Sequence, residues 1–392
     1  MRPADRVRAA AARLASAGDL PAYVHDLPGL RGHAAAVRAA MAGAAEVFYA
    51  VKANPAAEIL RALRPFVDGF EVASGGELAH VRGLLPEARV AFSGPGKTGA
   101  ELALALELGV ERLHVESPTE LARLIATGAR ADVLLRANPD LPGEGTRQAV
   151  SSPFGMDPDG LDACVRLLRD APRIRPRGIH THLTWAREDA RAMAGLAGRV
   201  TAWALPWLRA HLPQIAEPEL DLGGGMGVDY ADPRALFDWN AYGAALSGLG
   251  GQARLRIEPG RSLTAYHGWY VTDVLDIKRN HGRHYAVLRG GTHHLRTPVA
   301  RGHDQPFTVL SHAAAGPALT GAVTLVGQLC TPKDVLNRHA EVAGLRVGDL
   351  VAFGLAGAYA WNLSHHDFLM HPEPSFHYLD EPQASSEPSP GR

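Results

Sequence analysis

The chain has 392 residues, 40 of them basic and 41 acidic, for a formal net charge of -1. That length predicts two or three domains, and the balanced charge excludes the basic footprint of a nucleic-acid or anionic-membrane binder. Two cysteines, Cys164 and Cys330, exclude a disulfide framework and point to a reducing, cytoplasmic setting.

The opening stretch "MRPADRVRAAAARLASAG" interrupts its alanines with arginines. It lacks the unbroken apolar core of a signal peptide and reads as an amphipathic helix. "PAYVHDL" (21–27) follows as a strand free to join either domain. No run approaches the roughly 18 apolar residues of a membrane span.

From 46 to 258 short apolar runs alternate with helical patterns. The strand candidates are "EVFYAV" (46–51), "GFEVA" (69–73), "ARVAFS" (88–93), "ERLHVE" (111–116), "ADVLLRA" (131–137), "RGIHTHL" (177–183), "ELDLG" (219–223) and "RLRIEP" (254–259). Between them lie stretches such as "SPTELARLIATG", opened by Ser117 with Glu120 three residues on and stopped by Gly128. Eight strands with intervening helices match an α/β fold of the (β/α)8 TIM-barrel type. A doubly wound sheet is the competing reading, because periodicity does not prove closure. After Pro259 the texture turns to Gly-punctuated β runs, from "HGWYVTDVLDIKR" to "GDLVAFGLAGAY". The expected organisation is an N-terminal helix and strand over 1–30, a barrel over 31–261, an all-β C-terminal domain over 262–380 and a disordered tail over 381–392, rich in Pro, Ser and Glu.

In such a barrel the functional residues lie at the carboxyl ends of the strands. Those ends carry Lys52, Ser74-Gly75-Gly76, Ser93-Gly94, Arg136, His180 and His182, Gly223 to Gly227, and Glu258-Pro-Gly-Arg261. One amine, imidazoles, a glycine nest and a carboxylate beside a guanidinium suit a cofactor with an aldehyde, a phosphate and a basic ring nitrogen. "GPGKT" (94–98) is not a phosphate-binding loop, since Ala91 stands where G-x-x-x-x-G-K-[ST] needs glycine. "GGGMG" is not the dinucleotide fingerprint, since Val228 stands where its last glycine belongs. His180 and His182 share a strand face, but no third metal ligand stands at a useful spacing, so no metal is expected.

The stretches "YAVKAN", "VASGGEL", "FSGPGK", "HVESPTEL", "LRANP", "FGM", "GIHTHL", "LDLGGGMG", "EPGRS", "GQLCTPKD" and "GAY" follow one another between residues 20 and 378. In that order they resemble the fold-type III decarboxylases that depend on pyridoxal 5'-phosphate (PLP), the group of diaminopimelate and ornithine/arginine decarboxylases. The resemblance implies an alanine-racemase-like barrel, a β domain joined by the early strand, and a homodimer with shared active sites. It implies that Lys52 forms the Schiff base, that His182 stacks on the ring and that Glu258 pairs with the ring nitrogen, arguing for decarboxylation over racemisation. Gly224, Gly225, Gly227, Gly260, Arg261 and Tyr359 are the implied phosphate partners. Cys330 is the implied proton donor from the partner subunit, and Asp334 lies near the substrate.

Several positions depart from the family pattern. Leu183-Thr184-Trp185 replaces I-G-S, Thr331 replaces the acid that binds a distal amine, and "LRTPVA" replaces R-P-A-L-Y while keeping Arg296. Losing the acid removes charge complementarity for a terminal diamine. "LCTPKDVL" and "AYAWNLSHHDFLMHP" resemble a branch of carboxylate siderophore biosynthesis, of the staphyloferrin B, achromobactin and vibrioferrin type. There the amino acid is already joined to citrate or a similar acid, as in citryl-diaminopropionate. Arg296, Thr331 and Asp334 are then the expected substrate contacts, with His365 and His366 receiving the anionic tail. The alternative is diaminopimelate decarboxylase of lysine biosynthesis; a racemase and a non-catalytic PLP-binding homologue stand further off.

Overall fold

The computed structural model of the chain describes residues 4–141, 152–184, 189–296, 303–312 and 315–380. Trp185 and the tail from 381 onward lie outside the described residues. Two compact units emerge. One spans His33–Asp229 and Ala235–Leu263; the other gathers residues up to Gly32, Tyr230–Arg234 and the chain from Thr264 onward.

The first unit is built on β2 (Glu46–Ala50), β3 (Gly69–Val72), β4 (Val90–Phe92), β5 (Arg112–Val115), β6 (Ala131–Arg136), β7 (Ile174–His180), β8 (Glu219–Asp221) and β9 (Arg254–Ile257). All pair in parallel, and β9 returns to β2, closing an eight-stranded barrel. Closure excludes the doubly wound sheet. Parallel strands covered on both faces read as unbroken apolar runs, which is why "VFYA" and "LHV" are buried throughout. Helices follow their strands with ordinary start signals. The Ser117 hydroxyl accepts from the Glu120 N–H at 3.0 Å and opens the helix Pro118–Ala126, which stops before Gly128 at φ +67°.

β7 begins three residues earlier than the run "RGIHTHL" suggests. Pro176 sits at a register shift against β6, between the pairs Val133–Pro176 and Leu134–Gly178. A bulge is where a strand tolerates proline, so the polar "IRPR" enters the ladder despite its composition.

The amino ends of the strands are tied by charge. Glu46 accepts from Arg89 at 2.8 Å, Arg254 at 2.6 Å and Arg256 at 2.9 Å, and Arg256 also reaches Glu111 at 2.8 Å. The Arg256 guanidinium lies 3.8 Å from the centre of the Phe48 ring. Four strands are thereby linked across the barrel floor. Arg256 is the buried member at 4% exposure, while Arg89 and Arg254 are a third to a half exposed, so those outer pairs add little stability.

The second unit is an eight-stranded sheet. Its path runs β12 (Phe307–Leu310), β15 (Leu350–Phe353), β10 (Gly268–Asn280), β11 (Arg283–Leu288), β13 (Ala315–Val326) and β14 (Val335–Val347). The early strand β1 (Ala22–Asp26) pairs antiparallel with β10 and parallel with β16 (Ser375–Leu379). The helix Asp5–Ala17, capped by Gly18 in the left-handed region, lays Val7, Ala10 and Ala11 against Val24, Trp269 and Val271.

Candidate active site

β2 ends at Ala50, whose N–H donates to the Pro259 carbonyl at 3.1 Å. A single 3-10 turn, Val51–Ala53, then lifts Lys52 out of the ladder. Its ammonium donates to Glu71 Oε2 at 2.5 Å. Glu71 belongs to β3, is 1% exposed and also accepts from the Ser93 hydroxyl at 2.6 Å. Burial works to raise its pKa, yet Lys52 and the two hydrogen bonds hold it below the ordinary carboxylate value. Lys52 thus stands at the carboxyl end of the barrel over a built counter-charge.

From Ser93 the polar contacts continue inward. Its hydroxyl lies 3.3 Å from His114 Nδ1, and the His114 and His180 rings sit 4.1 Å apart. His180 Nε2 is 3.4 Å from Glu258 Oε2, and His114 Nε2 is 3.7 Å from Asp221 Oδ2. Burial holds both imidazoles well below the usual histidine value, so they are neutral. Burial first, then Asp221 and Glu71, pushes Glu258 well above the usual carboxylate range. Asp221 is pushed up to about 6 by burial, with Arg256 and the Gly223 N–H pulling the other way. Two carboxylates and two imidazoles therefore share a space with few compensating hydrogen bonds. Among the described residues, Glu258 Oε1, Asp221 Oδ2, His114 Nε2 and both His180 nitrogens are buried without a hydrogen-bond partner.

Ligand atoms of His114, His180 and Glu258 lie within 4.8 Å of one another. Spacing along the chain hid this third partner of His180, because His114 and Glu258 stand on β5 and just after β9. His182, the other half of the H-x-H pair, faces a different task. Its Nδ1 accepts from the Gly224 N–H at 3.3 Å, and burial, then Lys52 and Arg136, lowers its pKa to about 3. A neutral ring so fixed is a flat, apolar-faced wall.

The glycines after β8 are forced. A Cβ on Gly223 would lie 2.4 Å from the Thr181 carbonyl oxygen, and one on Gly224 would lie 2.5 Å from that of Glu258. Gly223 and Gly225 also take φ of +69° and +107°, where side chains are strained. Gly227 is buried in the same turn. Across from it, Gly260 accepts from the Leu263 N–H at 3.1 Å, and Arg261 opens the short helix Arg261–Thr264. Lys97 of "GPGKT" is buried, its ammonium held by the Gly94 and His114 carbonyls and by Glu120. Its charge is already met by these partners.

The remaining candidates lie in the sheet unit. Cys330 is exposed, in the turn between β13 and β14 with Thr331. Asp334 is 2% exposed, and its carboxylate accepts from the Thr292 N–H and hydroxyl and from the Leu329 N–H, at 2.7, 2.9 and 2.8 Å. Those bonds make Asp334 the clamp of the turn that carries Cys330. Arg296 is exposed and, among the described residues, donates to the Leu363 carbonyl at 3.5 Å. Tyr359 takes φ +52°, an uncommon value for a bulky residue.

Together the barrel, the lysine at its carboxyl mouth, the buried carboxylate after the last strand and the glycine turn make a set that suits a PLP-dependent enzyme. The residues present fit that cofactor: Glu258 Oε1 lacks a partner that a protonated ring nitrogen supplies, and the glycine turn leaves no room for side chains. The chain belongs to the family described as the pyridoxal-dependent decarboxylases, whose pyridoxal binding domain matches residues 29–265. It is 37% identical to the 2-[(L-alanin-3-ylcarbamoyl)methyl]-2-hydroxybutanedioate decarboxylase of Staphylococcus aureus, over 92% of this chain and 94% of that one. It is 31% identical to the diaminopimelate decarboxylase of Zymomonas mobilis, over 86% and 83%. The fold matches that of diaminopimelate decarboxylase from Helicobacter pylori complexed with L-lysine, with a TM-score of 0.82 at 23% identity, over 92% of this chain and 91% of that one. The chain is thus a decarboxylase with PLP as its cofactor. Among the described residues, no helix is long and apolar enough to cross a membrane.

Sequence reading missed Glu71, His114 and Asp221. All three interrupt apolar strands with a titratable side chain, and that interruption was the available signal.

Proposed function

We propose that the enzyme removes the α-carboxylate of an amino acid whose side chain is already joined to a hydroxypolycarboxylate, as a cytoplasmic homodimer in carboxylate siderophore assembly. The relative from Staphylococcus aureus carries this reading, because its substrate is an alanine linked through C3 and an amide to a hydroxybutanedioate. Thr331 agrees with it, since an uncharged side chain beside Cys330 offers nothing to a distal ammonium.

PLP, when bound, supplies the electron sink for the bond to the departing carboxylate. The chain's own residues do the rest. Lys52, whose ammonium donates to Glu71 at 2.5 Å in the cofactor-free chain, would hold the cofactor aldehyde. Glu258, buried at 3% exposure, offers its unpartnered oxygen to the ring nitrogen and holds the proton there. His182 would cover one ring face, and the turn Gly223–Gly227 with Arg261 would receive the phosphate. Cys330 of the partner subunit returns a proton to the substrate carbon once CO2 has left. The exposure of Cys330 supports a role outside its own core.

The test is product mass. PLP-loaded protein is incubated with meso-diaminopimelate, ornithine, lysine, arginine and a citryl-diaminopropionate conjugate, and loss of CO2 is followed. Turnover of the conjugate alone is expected. Turnover of diaminopimelate would place the enzyme in lysine biosynthesis and overturn the substrate reading.

A further inference from the structure

The barrel interior carries two carboxylates that the nearby cations of the chain leave unpaired. Four cations act on His114 through their charge, namely Arg256, Lys97, Arg136 and Lys52. Each already has a carboxylate of its own. Lys52 pairs with Glu71 at 2.5 Å, Lys97 with Glu120 at 2.9 Å, Arg136 with Glu116 at 2.6 Å and Arg256 with Glu46 at 2.9 Å. Asp221 and Glu258 are left over. Among the described residues their ion-pair partners are His114 and His180, and Arg256 and Lys52 act on them from further off.

Buried charges are paired or they coordinate a metal. One proton shared between Asp221 and Glu258 removes part of the charge, but it does nothing for the imidazoles. Among the described residues, His114 Nε2 and both His180 nitrogens are buried without a hydrogen-bond partner. Neutral imidazole nitrogen is the commonest metal ligand among side chains. Two such rings beside two unpaired carboxylates match a divalent cation in both charge and donor type.

The spacing agrees. His114 Nδ1 lies 3.7 Å from Glu258 Oε1, and His180 Nε2 lies 3.4 Å from Glu258 Oε2. One ligand atom from each of the three falls within 4.8 Å of the others. Ligands bound to tetrahedral zinc stand about 3.3 Å apart, so small side-chain rotations bring all three onto one ion. Ser93, 3.3 Å from His114 Nδ1, keeps its bond to Glu71 at 2.6 Å when that nitrogen turns to a metal. Asp221 Oδ2 faces the other nitrogen of the same ring, Nε2, at 3.7 Å. A carboxylate behind a histidine fixes the tautomer and the orientation of a ligating imidazole.

We infer that His114, His180 and Glu258, with Asp221 orienting His114, bind a divalent transition-metal ion of the zinc class in the cofactor-free chain. The metal and the ring nitrogen of PLP then draw on one carboxylate, so each excludes the other. The exclusion rests on the role given to Glu258 above; binding of the metal does not.

Zn2+ is the probe, with Co2+ as its spectroscopic stand-in. The full chain, freed of cofactor and metal, is titrated with either ion against a chromogenic chelator, as wild type, as His180→Asn and as Asp221→Asn. One ion per wild-type chain is expected, and Co2+ should give the intense visible bands of a tetrahedral site. Affinity should fall about tenfold or more in each variant, including Asp221→Asn, which removes no ligand. Asp221→Asn also keeps an acceptor for the Gly223 N–H, so it serves if His180→Asn does not fold. PLP added to the zinc-loaded wild type should release the ion to the chelator. Failure of the wild type to hold an ion would overturn the site. Equal affinity in the wild type and the variants would also overturn it, by placing the zinc on exposed histidines such as His365 and His366. An ion retained beside bound PLP, with the variants still weakened, would uphold the metal site, overturn the exclusion and sink the assignment of Glu258 to the ring nitrogen.

Discussion

Replacing Asp221 by asparagine should make the cofactor-free protein more stable above pH 6. Asp221 is 1% exposed, and its pKa is pushed up to about 6 against an ordinary 3.8. The folded chain thus binds this proton more tightly than the unfolded chain does. Stability is lost as pH rises from about 4 to about 6, and the full cost persists above that. Two pKa units correspond to about 3 kcal/mol. An asparagine oxygen can still accept from the Gly223 N–H, as Asp221 Oδ1 does at 2.9 Å, while no charge is buried. Arg256 loses one attractive neighbour but keeps Glu46 and Glu111. The expected net gain for Asp221→Asn is about 2–3 kcal/mol at pH 8, shrinking to nothing near pH 4. Urea unfolding followed by tryptophan fluorescence at pH 4.5 and pH 8 measures it. A variant no more stable than wild type at pH 8 would show that the folded state compensates the Asp221 charge, and the reading of the barrel interior would fail.

Lys52→Ala should abolish CO2 release by several orders of magnitude and remove the cofactor's covalent absorbance, while leaving Glu71 buried beside Ser93; retained turnover in a mass assay would refute its assignment. Gly224→Ala places a methyl group 2.5 Å from the Glu258 carbonyl oxygen. It should cost about 1–3 kcal/mol by overpacking and weaken PLP binding, read by thermal unfolding and by fluorescence titration with PLP; unchanged PLP affinity would contradict the glycine cradle.

The barrel was legible because its strands are buried on both faces and so appear as short apolar runs. Where the physics mixed its signals, reading slipped. β7 starts in "IRPR", where a bulge admits a proline, and β14 runs through "VLNRHAEVAGLRV", whose polar residues hide a thirteen-residue strand. For the site, position was readable and environment was not. Lys52, His182, Glu258 and the glycine turn stand at strand ends, where a barrel gathers its chemistry. The His114–Asp221–Glu258 contacts join three strands distant in sequence, and no spacing rule reports them. The same distance hid the commitment of Asp334 to its own turn.

The placement of β1 has a consequence for how the protein is made. Residues 22–26 hydrogen-bond to β10 on one side and to β16 on the other. A ribosome delivers the first partner some 250 residues after β1 and the second about 350 after it, at about 5–20 residues per second. The barrel, complete by Ile257, has all its strands well before Ser375 emerges. For much of its synthesis β1 therefore waits with both edges open, a ready template for pairing with another chain. The sheet unit is the part of this molecule most exposed to error while the polypeptide is still being written.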